Sequence, residues 1–412
     1  MSKEQKSDVE NIFHGWKNSG NLDYVSCWYK KAADYMTDNK VRSALVSTNS
    51  ICQGDSVAIL WKPLFEAGVH IDFAHRTFRW DSESTSKAHV HCVIVGFSKA
   101  ENKKPRQLFT SGQVNLVENI NGYLIEADNV FVESRNKPLC DVPQIGIGNK
   151  PIDGGNYLFT KEEMEDFIKS EPKTEEYFKP WFGAVEFINR KPRYCLWLGE
   201  CSPAELRKMP QARKRVEAVR ELRLASKSPG TQKLADKPTR FHVENMPKGS
   251  YIVIPEVSSE RRRYVPMGYM DDSVICSNKV RLMPSATMYH FGILNSNVHM
   301  SWMRVVCGRL KSDYDYSIKI VYNNFPWPTP TDKDRAAIEK TAQAILDARA
   351  LYPDSSLADL YDPVTMPPEL IKAHRANDKA VMQAYGFWGK LNSESECVAE
   401  LMKMYESLTA DK

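Results

Sequence analysis

The stretch His89-Val-His-Cys-Val-Ile-Val-Gly-Phe97 decides the fold of this 412-residue chain. Its central residues are nearly all apolar, which is typical of a strand buried on both faces of a sheet. The apolar runs Arg42–Thr48 and Val69–His75 predict two further strands, and residues 57–65 between them have helical periodicity. Residues 20–100 therefore predict one part of an α/β sheet domain.

The composition is that of a globular protein. Apolar residues make up 42% and charged residues 26% of the chain, close to ordinary usage, and the length predicts about two or three domains. There is no run of about 18 apolar residues, and the first residues lack the apolar core of a signal peptide, so we expect a cytosolic protein. The nine cysteines contain no Cys-x-x-Cys pair, which favours reduced, mostly buried thiols over a disulfide framework or a zinc site.

Two capping boxes predict where helices begin. The segments Thr160–Glu163 and Ser202–Glu205 each place a hydroxyl group three residues before a glutamate, the pattern that caps a helix N-terminus. The second box opens a basic helix over residues 203–225. Pro210 is expected to bend or divide this helix, because proline interrupts the helical hydrogen bonds.

The second half of the chain changes character twice. Residues 249–325 are expected to be rich in strands, with apolar and aromatic runs at Tyr251–Ile254 and Tyr289–Leu294. The proline-rich segment Asn324–Pro330 predicts a boundary. Helical periodicity after Asp332 then predicts a small helical bundle at the C-terminal end.

The positive charge is concentrated in one segment. Between Cys201 and Arg263 there are 15 Lys and Arg against 7 Asp and Glu, whereas the whole chain has a net charge of only +4. A local excess of this kind is expected where one part of a molecule contacts a polyanion.

Several enzyme classes are disfavoured by their missing motifs. The sequence has no Gly-x-x-x-x-Gly-Lys-Ser/Thr loop, no His-Glu-x-x-His and no Gly-x-Ser-x-Gly, which argues against an ATPase, a zincin and an α/β-hydrolase. The glycines from Gly146 to Gly155 follow no apolar strand and are expected to form a surface loop. A nuclease requires clustered metal-binding carboxylates, and the Glu-x-Lys matches Glu101–Lys103 and Glu171–Lys173 occur at chance frequency.

Six blocks of sequence, in the same order along the chain, resemble one family. They are Leu22–Ala33, Ser47–Gly54, Phe73–Trp80, Val90–Phe97, Pro255–Arg262 and Cys307–Ser317. Together they resemble the MmeI-like (type IIL/IIG) restriction-modification DNA adenine-N6 methyltransferases over about residues 10–405. The resemblance implies transfer of a methyl group from S-adenosylmethionine to adenine N6 in double-stranded DNA.

The fold class implied by the resemblance is α/β. It comprises a partial Rossmann-like methyltransferase sheet, a mixed α/β target-recognition domain and a C-terminal helical bundle. We expect the C-terminal half of a class I methyltransferase domain at residues 1–110, a linker at 111–139, the target-recognition (DNA-binding) domain at 140–328 and the helical domain at 329–412.

The chain departs from the family at the catalytic motifs. Family members bind the cofactor through a glycine-rich loop and hold the adenine with an Asn-Pro-Pro-aromatic motif, and this sequence has neither; Met366-Pro-Pro-Glu369 lacks both the Asn and the aromatic residue. We therefore expect that this chain corresponds to the part of a family member that follows this motif. We also expect that the chain is catalytically incomplete alone. The implied partners are double-stranded DNA and the missing N-terminal methyltransferase half, on the same polypeptide or a separate chain. The main S-adenosylmethionine motif is expected in that half.

Phe78 and Trp80 are the candidates for stacking on a flipped base. A target base must leave the helix stack before it can be methylated, and related N6 methyltransferases have an aromatic residue at the position of Phe78, before the last long strand. Trp80 is the second choice. The alternative is that both rings belong to the core. Ser47–Ser50, at a strand end, either lines the same pocket or forms an ordinary turn.

A cluster of arginines with neighbouring hydroxyl groups is the candidate for DNA backbone contacts. The arginines are Arg261, Arg262 and Arg263, with Arg309 on a separate segment, and the hydroxyl groups belong to Ser258, Ser259 and Tyr264. The alternative is a solvated charged face. The basic helix 203–225 has the same two interpretations, because Glu217 and Glu221 can neutralise part of its charge within the helix.

Lys311 and Asp313 are the candidates for base recognition. On an extended segment, residues two apart point to the same side. Lysine donates to guanine O6 and N7 and aspartate accepts from cytosine N4, so the two side chains can read both bases of one G·C pair. The resemblance implies that the family varies its specificity here, with Asp315 and Tyr316 as secondary candidates. The alternative is a surface ion pair.

A second function stays open from the sequence alone. A stand-alone DNA-binding specificity module needs only the basic segment together with Lys311 and Asp313, and no catalytic half.

Overall fold

The computed structural model describes residues 1–36, 40–81, 89–100 and 104–410. The helices of its N-terminal part are α1 (Lys3–Ile12), α2 (Ser26–Tyr35) and α3 (Lys62–Glu66), the last preceded by a π-helical turn at Val57–Trp61. The strands are β1 (Arg42–Thr48), β2 (His70–Asp81), β3 (His89–Ser98), β4 (Arg106–Thr110) and β5 (Gln113–Val117).

Residues 143–295 alternate between short strands and helices. The strands are β6 (Gly146–Ile147), β7 (Leu158–Phe159), β8 (Phe178–Phe182), β9 (Arg193–Leu196), β10 (Tyr251–Pro255), β11 (Val257–Ser258), β12 (Gly268–Met270), β13 (Ile275–Cys276) and β14 (Val280–Pro284). The helices are α4 (Lys161–Ser170), α5 (Ala184–Asn189), α6 (Pro203–Leu206), α7 (Pro210–Leu224), α8 (Pro229–Lys233) and α9 (Met288–Leu294).

The C-terminal part is mainly helical, apart from one short hairpin. The hairpin strands are β15 (Gly308–Leu310) and β16 (Asp313–Asp315). The helices are α10 (Asn297–Val306), α11 (Asp332–Ala350), α12 (Leu357–Leu360), α13 (Pro368–Ala384) and α14 (Glu394–Ala410).

The chain forms two compact units from non-contiguous segments. The first unit contains Met1–Val142, Ser296–Ala337 and Asn377–Lys412, and the second contains Pro143–Asn295 and Ile338–Ala376. The domain limits drawn from the sequence stay predictions. The predicted α/β class, with several sheets and C-terminal helices, is confirmed.

The sheet of the first unit has the order β1-β3-β2-β4-β5. Strand β3 is antiparallel to both β1 and β2, so β1 and β2 run in the same direction and end at the same edge. Cys92 of β3 pairs with Thr48 of β1 on one side and with Phe78 of β2 on the other. Strand β4 is parallel to β2 and ends at this edge too. The predicted central strand is thereby confirmed.

The core of the first unit is built around Phe97 at the end of β3. Its ring stacks on Tyr29 of α2, with centroids 5.4 Å apart, and stands perpendicular to the Trp61 ring, with centroids 6.3 Å apart. All three side chains are fully buried. The helices therefore pack on the sheet through aromatic rings, which bury more apolar area than aliphatic side chains.

The second unit contains two small sheets, with the orders β12-β10-β14-β6 and β13-β8-β9-β7. Trp181 of β8 and Phe159 of β7 are buried in a core that α4 and α7 cover. Both predicted capping boxes are present, at Thr160 and Ser202. Pro210 divides the basic helix as expected, because α7 begins there.

The prediction of a strand at Tyr289–Leu294 is wrong, because these residues form helix α9. Thr287 caps the helix together with His290, and nearly every side chain of the run is buried. A short run that is apolar on all sides has no period that separates helix from strand. Strand β2 is also longer than predicted, and it continues through an irregularity between His75 and Phe78. All nine cysteines are free thiols, and seven are buried.

Truncation of Phe97 is expected to destabilise the first unit. Phe97→Ala removes a fully buried ring that contacts two other aromatic rings, and such changes cost about 3–5 kcal/mol. Val46→Ala on β1, where the side chain is 57% exposed, should change the free energy of unfolding by less than about 0.5 kcal/mol. Urea unfolding followed by tryptophan fluorescence checks both. Equal losses in the two variants would contradict the packing described.

Candidate nucleic-acid interface

The polar turn after β1 ties that strand to its neighbours. Ser50 Oγ donates to Asp23 Oδ2 at 2.8 Å, and Thr48 Oγ1 lies 2.8 Å from Ser50 Oγ. Asn49 Nδ2 donates to Thr77 Oγ1 on β2 at 3.4 Å. The Ser47–Ser50 segment therefore forms an internally bonded turn at the sheet edge.

Phe78 and Trp80 lie on the same strand, just beyond this turn. Their ring centroids are 6.4 Å apart, with the planes tilted by 50°. Phe78 is half-buried and Trp80 is 54% exposed. The core alternative therefore does not describe Trp80, and both rings keep surface for contact with a flat ligand. Their role in base stacking stays a prediction.

Lys311 and Asp313 lie at the tip of the β15–β16 hairpin. Residues 311 and 312 form the turn, and Lys311 has a left-handed backbone with φ +59°. The expectation of an extended segment is therefore wrong, because the chain reverses at Lys311. Lys311 is exposed, and Asp313 is half-buried opposite Leu310. The turn places both residues at the tip of the hairpin. Their proximity does not come from the alternation of side chains along an extended strand, from which it was predicted.

Arg309 lies on the other face of this hairpin. It pairs across the strands with Tyr314, and its guanidinium carbon lies 3.9 Å from the centroid of the Tyr314 ring. Its Nη1 donates to the Ser312 carbonyl oxygen at 2.8 Å. Since neighbouring residues of a strand point to opposite faces, Arg309 and Asp313 do not share a face.

The base of the hairpin is anchored by a buried histidine. His299 of α10 is fully buried, and its Nε2 lies 2.8 Å from the hydroxyl oxygen of Tyr316. The Phe325 ring packs edge-on against it, with centroids 4.6 Å apart. Burial lowers the pKa of His299 to about 3. The imidazole is therefore neutral near pH 7, and it positions Tyr316, which directly follows Asp315.

The arginine loop, Arg261–Arg263, belongs to the second unit. Arg261 and Arg263 are exposed and Arg262 is half-buried. The expected hydroxyl contacts of Ser258 and Tyr264 with phosphate are wrong for the structure described, because both residues are buried. Tyr264 instead stacks on His374 of α13, with ring centroids 4.0 Å apart.

His374 thereby attaches the arginine loop to the C-terminal helices. Its Nε2 lies 2.8 Å from the Tyr361 hydroxyl oxygen, and Arg349 donates to the same hydroxyl group and, at 2.7 Å, to the Met267 carbonyl oxygen. Burial lowers the pKa of His374 well below its usual value. A buried network of the neutral His374 imidazole, the Tyr361 hydroxyl group and the charged Arg349 guanidinium therefore fixes the end of the arginine loop.

Part of the positive charge of the basic helix α7 is buried inside the protein. Arg223 is buried, and its guanidinium donates to five backbone carbonyl oxygens, those of Pro151, Ile152, Leu234, Lys237 and Arg240. Arg213 forms an ion pair with Glu217 at 2.9 Å. The DNA-facing interpretation of this helix is therefore wrong for Arg223, which organises the loops around it.

Glu171, the described carboxylate that matches a nuclease pattern, has no metal-site geometry. Both oxygens of the buried Glu171 accept from the backbone N–H groups of Gln211 and Ala212, at the start of α7. Glu101–Lys103 lies outside the described residues. Within the described ranges, no group of three His, Cys, Asp or Glu side chains is arranged to hold a metal ion.

The structure brings together only some of the predicted site residues. Phe78, Trp80, Arg309, Lys311 and Asp313 belong to the first unit, whereas the arginine loop belongs to the second. Sequence reasoning did not single out Arg76 and Arg304, which line a polar cavity together with Arg309. The available signal was the position of Arg76, two residues before Phe78.

Three family models match successive parts of the chain. The MmeI DNA-methyltransferase domain matches residues 1–110, the MmeI target recognition domain matches residues 126–329, and the MmeI C-terminal domain matches residues 330–411. The chain belongs to the MmeI family. It carries methyltransferase and target-recognition domains of that family, as the sequence blocks predicted.

Two relatives of this MmeI-family chain support the assignment. DNA methyltransferase A of Bacillus subtilis (strain 168) is 41% identical over 409 residues, which are 99% of this chain and 46% of that protein. The structure of the Type IIL restriction-modification enzyme MmeI in complex with DNA is 44% identical, with a TM-score of 0.93 over 100% of this chain and 55% of the MmeI chain. The chain spans about half the length of these relatives.

Over the described ranges of this MmeI-family chain, no helix is both long enough and apolar enough to cross a membrane.

The stability of this MmeI-family chain is expected to fall in acid through its buried histidines. Unfolded histidine binds a proton below about pH 6.5, whereas folded His299 stays neutral down to about pH 3. Between these two pH values the unfolded state binds more protons than the folded state. As the pH is lowered through this range, His299 therefore reduces the free energy of unfolding by about 1.4 kcal/mol per pH unit.

Urea unfolding at pH 7.5, 6.5 and 5.5 checks this expectation. His299→Gln should reduce the dependence on pH by the contribution of one histidine. His14→Gln, at an exposed position, is the matched control and should keep the wild-type dependence. An unchanged pH dependence in His299→Gln would show that the imidazole is not held neutral by burial.

Proposed function

We propose that this chain is the target-recognition part, and the later methyltransferase part, of an adenine-N6 DNA methyltransferase in a restriction-modification system. The observation that carries the proposal is the similarity of the whole chain to a DNA-bound member of the MmeI family. The methyl donor is S-adenosylmethionine, and the partner is double-stranded DNA. Because the proposed substrate is cellular DNA, we expect the protein in the cytoplasm.

The DNA contacts fall into backbone and base contacts. Arg261, Arg262 and Arg263 are exposed or half-buried on one loop, where guanidinium groups are suited to phosphate oxygens. Contacts of this kind hold DNA without reading its sequence. Arg309 is the backbone candidate of the first unit, and it lines a polar cavity together with Arg76 and Arg304.

Base recognition is assigned to the tip of the β15–β16 hairpin. A two-stranded ribbon fits the major groove of B-DNA, and the exposed Lys311 has the donor that guanine requires. Asp313 has the acceptor that cytosine N4 requires. A surface ion pair does not explain the geometry equally well, because no ion pair joins Lys311 and Asp313 among the described residues.

Methylation of the adenine amino group requires a flipped base held beside the methyl donor. Phe78, aligned with the end of β1 through Cys92, is the proposed stacking partner, and the more exposed Trp80 is the second. A half-buried ring at the carboxyl edge of the sheet suits this role, because it has both contact with the protein and surface that a base can reach.

S-adenosylmethionine supplies the methyl group when it is bound. The residues of this chain do not form its site by themselves, because the polar groups after β1 bond to one another and to Asp23. The sequence also lacks the glycine-rich loop of the family. We therefore assign the main cofactor site to the missing N-terminal half, and this chain is catalytically incomplete alone.

Strand β1, at the edge of the sheet, is the proposed docking site for that half. Strand β1 is the end strand of the sheet and pairs with β3 on one side. Val46 on β1 is 57% exposed, and Ala44 is exposed on the same face. An open, apolar edge strand is normally covered or paired in a native protein. The proposed partner pairs with β1 and covers this face.

Reconstitution tests the proposal. The chain is combined with a polypeptide that carries the cofactor loop and the Asn-Pro-Pro-aromatic motif of the family, and transfer of tritiated methyl groups to duplex DNA is measured. We expect N6-methyladenine as the product only when both parts are present. Phe78→Ala should lower the transfer rate by about fivefold to 150-fold, since base stacking is worth about 1–3 kcal/mol. No transfer to any duplex, or methylated cytosine as the product, would refute the assignment.

A stand-alone DNA-binding specificity module is the second candidate. It is favoured by the location of the proposed base and backbone contacts on elements that fold within this chain. Sequence-selective binding without methyl transfer in the reconstituted system would select this function.

Two substitutions distinguish base contacts from backbone contacts. Lys311→Ala should weaken discrimination at one G·C pair by about 1–3 kcal/mol. Arg262→Ala should instead weaken binding to all sequences alike and flatten the dependence on salt. The measurement is a titration of each variant against duplexes that differ at single base pairs. An equal loss of affinity on every duplex for Lys311→Ala would exclude base reading.

A further inference from the structure

A polar cavity of about 200 Å³ lies in the first unit, at the carboxyl edge of the sheet. Arg76 and Thr77 reach it from β2, and Thr110 reaches it from the end of β4. Arg304 from α10 and Arg309 from β15 line it from other elements of the unit. We call it the Arg76 cavity. Since a water molecule occupies about 30 Å³, it has room for a group of several heavy atoms.

The lining has the chemistry of an anion site. It presents the guanidinium groups of three arginines and the hydroxyl groups of Thr77, Thr110 and Ser111, and none of its lining residues is acidic. Arginine combines a permanent charge with a planar fork of donors that matches phosphate oxygens. Cys52, which also lines the cavity, does not supply a thiolate, because burial raises its pKa to about 12.

The partners of the arginines differ. Arg304 forms an ion pair with Glu394 at 2.9 Å, and Arg309 stacks on Tyr314. Arg76 is half-buried, and the carboxylate whose charge acts on it is that of Glu394, which forms its ion pair with Arg304 instead. A buried charge is costly unless it is paired, so Arg76 is the side chain that gains most from an anion in the cavity.

Two residues that line this cavity are close in sequence to the two proposed DNA-reading features of the unit. Arg76 precedes the proposed stacking residue Phe78 by two residues, and Arg309 precedes the proposed base-reading residue Lys311 by two. A DNA strand that reaches both features carries a phosphate at every nucleotide between them.

We propose that the Arg76 cavity binds one phosphate of the DNA backbone, between the flipped base and the base pairs read by the hairpin. The proposal rests on the proposed function, because it requires that this chain binds DNA. Arg76 provides the main contact, and the hydroxyl groups of Thr77 and Thr110 donate the remaining hydrogen bonds to the phosphate oxygens. The phosphate neutralises the arginine charge and fixes the strand at the sheet edge.

The salt dependence of DNA binding tests the proposal. The full chain is titrated with a labelled duplex over a series of KCl concentrations, as wild type, Arg76→Gln and Arg42→Gln. Arg42 is an exposed arginine on β1 and serves as the matched control. Loss of one phosphate contact should reduce the slope of log K against log salt by about 0.9. We expect this change, with roughly tenfold weaker binding, for Arg76→Gln only.

A third variant separates charge from folding. Arg76→Lys keeps the positive charge, so it should keep the wild-type salt slope even if its affinity is lower. Circular dichroism establishes whether each variant is folded. A loss of affinity in Arg76→Gln with the wild-type slope, an effect no larger than that of Arg42→Gln, or a slope in Arg76→Lys as low as that in Arg76→Gln would overturn the proposal.

Inorganic phosphate provides a readout that does not depend on DNA. Thermal unfolding is measured in phosphate and in KCl of equal ionic strength, and we expect phosphate to stabilise the wild type and Arg42→Gln but not Arg76→Gln. Phosphate stabilisation through Arg76 in a chain that binds no DNA would support the anion site while refuting the proposed function. DNA binding with no effect of Arg76 on either readout would overturn the cavity proposal and leave the function intact.

Discussion

The pairing of β3 with strands on both of its sides is the constraint on which the rest of the first unit depends. Because β3 is antiparallel to β1 and to β2, those two strands end at one edge of the sheet. That edge collects the turn after β1, the ring of Phe78 and the guanidinium of Arg76 from separate parts of the sequence. The Phe97 ring packs against the rings of Tyr29 and Trp61. This packing holds the end of β3 against the helices, and β3 in turn aligns β1 with β2.

Hydrogen-bond partners separate the structural arginines from the arginine that we propose binds phosphate. Arg223 and Arg349 are buried, and backbone carbonyl oxygens accept their hydrogen bonds, so their charge is used to organise loops. Arg76 has no such carbonyl partners among the described residues, although burial lowers the pKa of its guanidinium. Local charge in the sequence does not distinguish these cases, because the partners of a buried arginine come from distant segments.

The sequence was sufficient for features that depend on local rules. The apolar centre of His89–Phe97 predicted the central strand, and two capping boxes predicted helix starts. It was insufficient where the outcome depended on burial or on chain reversal. The run Tyr289–Leu294 is buried on all sides, so its periodicity was uninformative. The left-handed turn at Lys311 removed the alternation from which its pairing with Asp313 was predicted.

We expect that target recognition is built into this chain and does not need the cofactor-binding half. The most direct measurement is selection of the chain alone against a randomised pool of duplex DNA at two salt concentrations, followed by sequencing of the bound fraction. We expect enrichment of a short motif that contains a fixed G·C pair, with weaker overall binding at the higher salt concentration. Salt-sensitive binding without any enriched motif, or no binding at all, would contradict this expectation.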